Sequence, residues 1–134
     1  MHAGHAHAAL VFDGEDCVGW CQYGPPVELP RIKNQRAYLA AGPAGADWRI
    51  TCFFSAKGYR GKGVADRALA GAVNQIAEAG GGYVEGFPED TEGRTATGAF
   101  LFNGTVSSFL RQGFERKHQI GKHKWLVARP DRPA

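Results

Sequence analysis

Lys57-Gly58-Tyr59-Arg60-Gly61-Lys62-Gly63-Val64-Ala65 sets glycine and positive charge directly ahead of a helical repeat. A glycine-rich turn that runs into a helix leaves the first backbone N–H groups outside the helical ladder, where the helix dipole also favours negative charge. The chemistry on offer is phosphate binding. Glycine at 61 and 63 removes side chains that would hold an oxyanion away, and Arg60 and Lys62 add mobile positive charge. Two common phosphate motifs do not fit. A Walker loop needs a hydroxyl after its lysine, and Lys62 is followed by Gly63. A dinucleotide fingerprint forced onto Gly58, Gly61 and Gly63 has the wrong spacing, and its acid, about twenty residues on, would fall in a glycine run. A turn that merely tightens a strand-to-helix junction stays open as the structural alternative.

Other reactive side chains are scattered. Cys17, Cys21 and Cys52 are an odd number without metal-type spacing, so reduced thiols are expected, and Cys52 within a strand reads as packing. His2, His5 and His7 have no cysteine or carboxylate beside them, and no metal site is expected. Glu85 is a carboxylate inside a short β-like run. A general base, a structural ion pair and a surface carboxylate are all compatible with it.

The elements that must position these groups are legible in the periodicity. Ala8 to Phe12 and Cys17 to Tyr23 are apolar runs around Asp13-Gly14-Glu15-Asp16, which predicts a hairpin. Gly24 to Asp47, with four prolines, predicts an excursion, in which Leu29, Ile32, Arg36 and Leu39 allow a short helix. Arg49 to Ser55 predicts a buried strand. Val64, Ala65, Ala68, Leu69, Ala72, Val73, Ile76 and Ala77 form one apolar stripe of an amphipathic helix that stops at Gly80-Gly81-Gly82. Tyr83 to Phe87 predicts a strand ended by Pro88, and Glu89 to Thr97 a loop. A short helix follows near Thr105, with Val106, Phe109 and Leu110 on its apolar face. Phe114 to Ile120 and His123 to Ala128 predict a closing hairpin. Trp20, Trp48 and Trp125 read as core or interface anchors.

At 134 residues, 43% apolar and 22% charged, the chain fits one globular domain over 8–134 behind a loose segment over 1–7. No run is long and apolar enough for a membrane span and no leader opens the chain, so a cytoplasmic location is expected. From Arg111 onward seven Lys/Arg face two Asp/Glu, a balance of +5 within a net +3, leaving −2 elsewhere. So small an excess, without a stacking surface, disfavours nucleic acid as the partner.

Arg60-Gly61-Lys62-Gly63-Val64-Ala65 resembles the Arg/Gln-x-x-Gly-x-Gly/Ala motif of the GNAT (GCN5-related) N-acetyltransferases. Phe109-x-x-x-Gly113-Phe114 is similar to their second signature, and the two stand in the family's order over roughly residues 8 to 128. The resemblance implies an α/β (α+β) fold with a mixed, largely antiparallel sheet, and acetyl-CoA as co-substrate without a metal. It implies that Arg60, Gly61, Lys62, Gly63, Val64 and Ala65 hold the pyrophosphate of coenzyme A. It further implies that Phe53 and Ser55 pair with pantetheine through their backbone, with Phe54 and Phe109 beside them.

The acceptor implied is an amine on a small molecule or peptide. An amine attacks a thioester only when unprotonated, and lysine-like amines with a pKa of ~10.4 are nearly all charged at neutral pH. Glu85 is therefore the first candidate base and Glu28 the second, with backbone N–H groups near Phe53 and Phe54 offered to the oxyanion. Many family members carry a tyrosine to protonate the thiolate where this chain has Phe109; Ser107 and Ser108 are the nearby hydroxyls. Family members also usually carry a strand and two helices before the hairpin that opens here. Either the excursion over Gly24 to Asp47 supplies that wall, or a second subunit in a homodimer does, or the chain is a fragment with a weakened acceptor site. A non-catalytic acyl-CoA-binding module is the rival reading.

Overall fold

The computed structural model describes residues 7–30, 35–42, 45–59, 62–90 and 104–133. The turn at Gly14-Glu15 closes a hairpin of β1 (His7–Asp13) and β2 (Asp16–Gly24), as the alternating apolar runs require. The excursion contains α1 (Gln35–Ala40). β3 (Trp48–Ser55), α2 (Val64–Glu78) and β4 (Gly82–Gly86) follow, then α3 (Val106–Arg111), β5 (Glu115–Gln119) and β6 (Trp125–Asp131). The six strands form one sheet in the order β1-β2-β3-β4-β6-β5. Every neighbouring pair is antiparallel except β3 with β4.

One face of the sheet is covered by α2, whose Val64, Ala68, Leu69, Ala72, Val73 and Ile76 are buried. They pack on Ala9, Cys21, Tyr23, Ile50, Phe53, Val84 and Val127, inward-facing residues of five of the six strands. The far end of the helix is fastened by polar contacts. Tyr23 Oη donates to Gln75 Oε1 at 2.6 Å, and Trp48 Nε1 donates to the Gly81 carbonyl at 3.0 Å. Gly81, two residues past the Ala79 C-cap, has φ 71°, and a side chain there would overlap the Asp131 carbonyl, so the turn that leaves the helix requires glycine.

The other face holds a smaller cluster of Tyr38, Phe87, Ile120 and Leu126. Within it Arg49 Nε donates to Glu85 Oε2 at 2.8 Å, and the Tyr38 hydroxyl donates to Glu85 Oε1 at 2.8 Å. Arg49 also reaches the Leu29 carbonyl at 2.7 Å and lies over the rings of Tyr38 and Phe87. The excursion is thus tied down at Leu29 and Tyr38 by the Arg49–Glu85 pair.

β3 carries one residue more than β2 allows. Tyr23 faces Ile50 and Gln22 faces Cys52, leaving Thr51 as the extra residue of a bulge. Ile50 and Phe53 therefore share the α2 face although three residues apart.

Several expectations change. His7, placed in the loose segment, begins β1, while residues 1–6 lie outside the described set. In the excursion helix the buried residue is Tyr38, and Leu39 is exposed, because the cluster that receives α1 is built around Arg49 and not on an aliphatic stripe. Leu110 is exposed too, its place taken by Ser108, which turns inward to a carboxylate. Ile32, and Thr91 to Thr97 of the expected loop, are outside the described residues.

Removing one partner of a buried ion pair leaves the other charge uncompensated. Arg49→Met and Glu85→Leu are each expected to lower stability by about 3–5 kcal/mol, while the double variant loses far less. Urea denaturation of the three variants checks this; equal losses in all three would contradict it.

Candidate functional site

β3 and β4 run side by side for only three rungs, Trp48 with Val84, Arg49 with Glu85 and Ile50 with Gly86. Beyond Ile50 they part. β4's line continues along β6, where the Trp125 N–H donates to the Pro88 carbonyl at 3.1 Å and Glu89 bridges to Lys124. The second half of β3 stays with β2. Since the Ala56 N–H donates to the Val18 carbonyl at 2.7 Å, strand alternation turns the peptide groups of Phe53 and Ser55 the other way, into the gap.

The gap has a built floor. Gly104 and Thr105 return beside Glu89, with the Glu89 N–H donating to the Gly104 carbonyl at 2.9 Å. Phe109 lies below them, 0% exposed, edge-on to Phe53 and Phe114 at ring separations of 5.9 and 4.9 Å. A side chain at Gly86 would overlap this ring, and one at Gly104 would come within 2.7 Å of Phe53. The ring fills a mould made by two glycines.

The N-terminus of α2 opens at the same end of β3. Gly63 is its N-cap, with φ 79° and no capping side chain. The first helical bond runs from the Arg67 N–H to the Gly63 carbonyl at 3.0 Å, so the amides of Val64, Ala65 and Asp66 precede the ladder. Val64 is seated against Gly19, where any side chain would collide with it. Lys62 is exposed beside this turn.

A second tie fixes α3 to that helix start. Arg111 donates to both Asp66 oxygens at 2.9–3.1 Å, and Ser108 Oγ donates to Asp66 as well. Partial burial pulls the Asp66 carboxyl upward, but the bonds from Arg111 and Ser108 outweigh it and leave the group below the usual carboxylate range. Thr105 caps α3 by accepting from the Ser108 N–H at 3.2 Å.

The sequence candidates separate in space. Phe53 and Ser55 border the gap, and Gly63, Val64 and Ala65 head the helix beside it. Phe54 points to the opposite face, 45% exposed and stacked on Trp20. Arg60 and Gly61 lie outside the described residues. Glu85 stands one rung before the parting, 2% exposed, in its pair with Arg49. Glu28 is at the other end of β3, 3.4 Å from His7 and near Gly24. Among the hydroxyls, Ser108 is buried on Asp66 and Ser107 lies 3.4 Å from Thr105 Oγ1. Burial pushes the Cys52 thiol up, in keeping with packing. Among the described residues no cluster of His, Cys, Asp and Glu has the makings of a metal site.

On the face away from α2, Glu85 borders a cavity of about 160 Å³ with Tyr83, Lys117, His118, Leu126 and Ala128. Tyr38 shields this carboxylate from above; burial and the adjacent Glu85 push its phenol up, so it remains a donor. Arg49, Asp66 and Arg111 were not among the sequence candidates. Arg49 alone left a trace, a charge inside an otherwise apolar strand.

No protein-family model matches the chain, and no curated protein matches it in sequence. Solved structures do match in shape. An acetyltransferase from Thermus thermophilus superposes with a TM-score of 0.55 at 15% identity, over 96% of this chain and 66% of that one. A histone acetyltransferase HPA2 and related acetyltransferase from Corynebacterium glutamicum gives 0.53 at 20% identity, over 98% and 67%. The fold is that of the GNAT acetyltransferases. The chain spans about two thirds of the length of these GNAT-type structures.

Because Asp66 is held below its unfolded value, its contribution to stability is complete at neutral pH and is lost as pH falls from about 3.9 toward the folded value. Asp66→Asn is expected to lower stability at pH 7 and to flatten the acid side of the stability profile. Thermal melts from pH 2 to 7 check it; an unchanged acid limb would contradict it.

Proposed function

We propose that the protein is an N-acyltransferase that moves an acetyl group from acetyl-CoA to an amine. The observation that carries this reading is the parting of β3 from β4 beside a helix headed by glycine. One strand then presents spare peptide groups to an extended ligand while the helix start faces that ligand's diphosphate. In this reading Arg60, Gly61, Lys62, Gly63, Val64 and Ala65 cradle the pyrophosphate. Phe53 and Ser55 pair with the pantetheine amides.

The amine nitrogen attacks the thioester carbonyl, the carbon–sulfur bond breaks, and coenzyme A leaves as thiolate. Of the backbone N–H groups near Phe53 and Phe54, that of Phe53 faces the gap and takes the developing oxyanion, while that of Phe54 is turned toward β2. Glu85 takes the proton released by the amine. Each of its oxygens accepts one bond, from Tyr38 or from Arg49, and each has a further lone pair to offer toward the cavity it borders. Glu28, which lies by Gly24 and 3.4 Å from His7, is the second candidate for this role. The acceptor is a small-molecule or peptide amine.

A second reading, acyl-CoA binding without turnover, is favoured by one observation. Phe109 has no hydroxyl with which to protonate a leaving thiolate, and its ring is enclosed on all sides.

Calorimetry with acetyl-CoA and a thiol-release assay over a panel of amines separate these readings. Binding with turnover of at least one amine class is expected; binding without turnover supports the second reading, and no binding overturns both. Lys62→Glu reverses an exposed charge beside the helix start. It should weaken acetyl-CoA binding roughly tenfold or more at low salt while leaving the melting temperature unchanged.

A further inference from the structure

The two edges of the sheet differ in kind. β5 is exposed along its whole length and carries Glu115, Arg116, Lys117 and His118, a charged edge of the sort that repels another strand. β1 is the reverse. Among the described residues no strand lies on its outer side, and Ala8 to Phe12 is apolar throughout, with neither lysine nor proline to blunt it. Leu10 and Phe12 are 53% and 55% exposed.

The order of residues in β1 specifies what fits beside it. His7-Ala-Ala-Leu-Val-Phe-Asp13 complements its own reverse about Leu10. In an antiparallel copy centred there, Ala9 faces Val11, Ala8 faces Phe12, and His7 faces Asp13. Each apolar pair sets small against large, and the ends set an imidazole against a carboxylate. The faces agree as well. Ala9 is buried under α2, and by alternation His7, Val11 and Asp13 share that face while Ala8, Leu10 and Phe12 take the other. Centring on Val11 instead would set Asp13 against buried Ala9. A centre between two residues would pair opposite faces.

The face away from α2 continues the pattern. Leu10 stands opposite Trp20 and Trp20 opposite Phe54, with the Trp20 and Phe54 rings stacked at 5.8 Å. A second copy across Leu10 extends this row into one apolar band through both chains. In-chain partners of the end residues remain in place: His7 beside Glu28, and Asp13 accepting from the Tyr59 hydroxyl.

We propose that the chain forms a two-fold homodimer in which β1 pairs antiparallel with β1 of a second copy, centred on Leu10, so that two six-stranded sheets become one. This inference does not depend on the acyltransferase reading.

Sedimentation equilibrium of the wild-type protein should give twice the monomer mass. Leu10→Lys sets two ammonium groups against each other at the two-fold and should weaken dimerisation roughly tenfold or more. Its circular dichroism and its acetyl-CoA binding should match the wild type, because Leu10 is exposed and remote from the gap. Register is tested by oxidation in a Cys17→Ser background. A residue facing itself across an antiparallel pair has Cα atoms about 4.5–5.5 Å apart, within reach of a disulfide. Leu10→Cys should therefore yield a covalent dimer, and Ala8→Cys, which faces Phe12, should not. A monomeric wild type, a dimer indifferent to Leu10→Lys, or equal cross-linking of the two cysteine variants would overturn the proposal. Loss of acetyl-CoA binding by the wild type would count against the acyltransferase reading alone.

Discussion

The arrangement depends on a buried ion pair at the middle rung of a very short ladder. Arg49 and Glu85 face each other where β3 and β4 still touch, and one residue later the strands separate. Parallel pairing over three rungs is a weak joint in itself. The charge pair, the Tyr38 hydroxyl and the Leu29 carbonyl reinforce it from the side that α2 does not cover. Both ions are nearly dehydrated, and that cost is met only because their hydrogen-bonding capacity is used with good geometry. The joint is also the hinge line of the gap, so the groups that hold the sheet together define where it opens.

On the other side of the gap, position is set by small residues. Gly19 admits Val64, and Gly86 and Gly104 admit the Phe109 ring. These contacts bring the head of α2, the floor of the gap and the free half of β3 to one end of the sheet. Asp66 then links α2 to α3 through Arg111 and Ser108. The negative charge this places in the first turn of α2 is compensated by a guanidinium from outside the helix, so the helix start keeps its positive character.

Much of this was legible along the chain. The α2 stripe, the glycine stop after it, the opening hairpin and the Thr105 start of α3 each follow from local periodicity or capping, and each stands within a residue or two of its expected place. The phosphate-loop motif located the head of α2 and, through the family resemblance, the fold. What was not legible depends on contacts between distant segments. Glu85 showed itself as a carboxylate in an odd place, but its partner lies 36 residues upstream, and nothing local names Arg49 over another cation. Glu28 belongs to the excursion, whose path no local pattern specifies, and only the folded chain sets it by Gly24 and 3.4 Å from His7. Tyr38 displaced Leu39 from the interior because a hydroxyl suited the buried carboxylate and a leucine did not.

The supernumerary Thr51 makes β3 a strand whose two halves obey opposite parity. Were that one residue lost, Ile50 would stay opposite Tyr23 and Cys52 opposite Gln22 in an unbroken ladder, with Phe53 still beneath α2 and Phe54 still outside. What the surplus residue supplies is curvature: a bulge bends its strand and sharpens the local twist, and this one falls directly after Ile50, the last residue that β3 shares with β4.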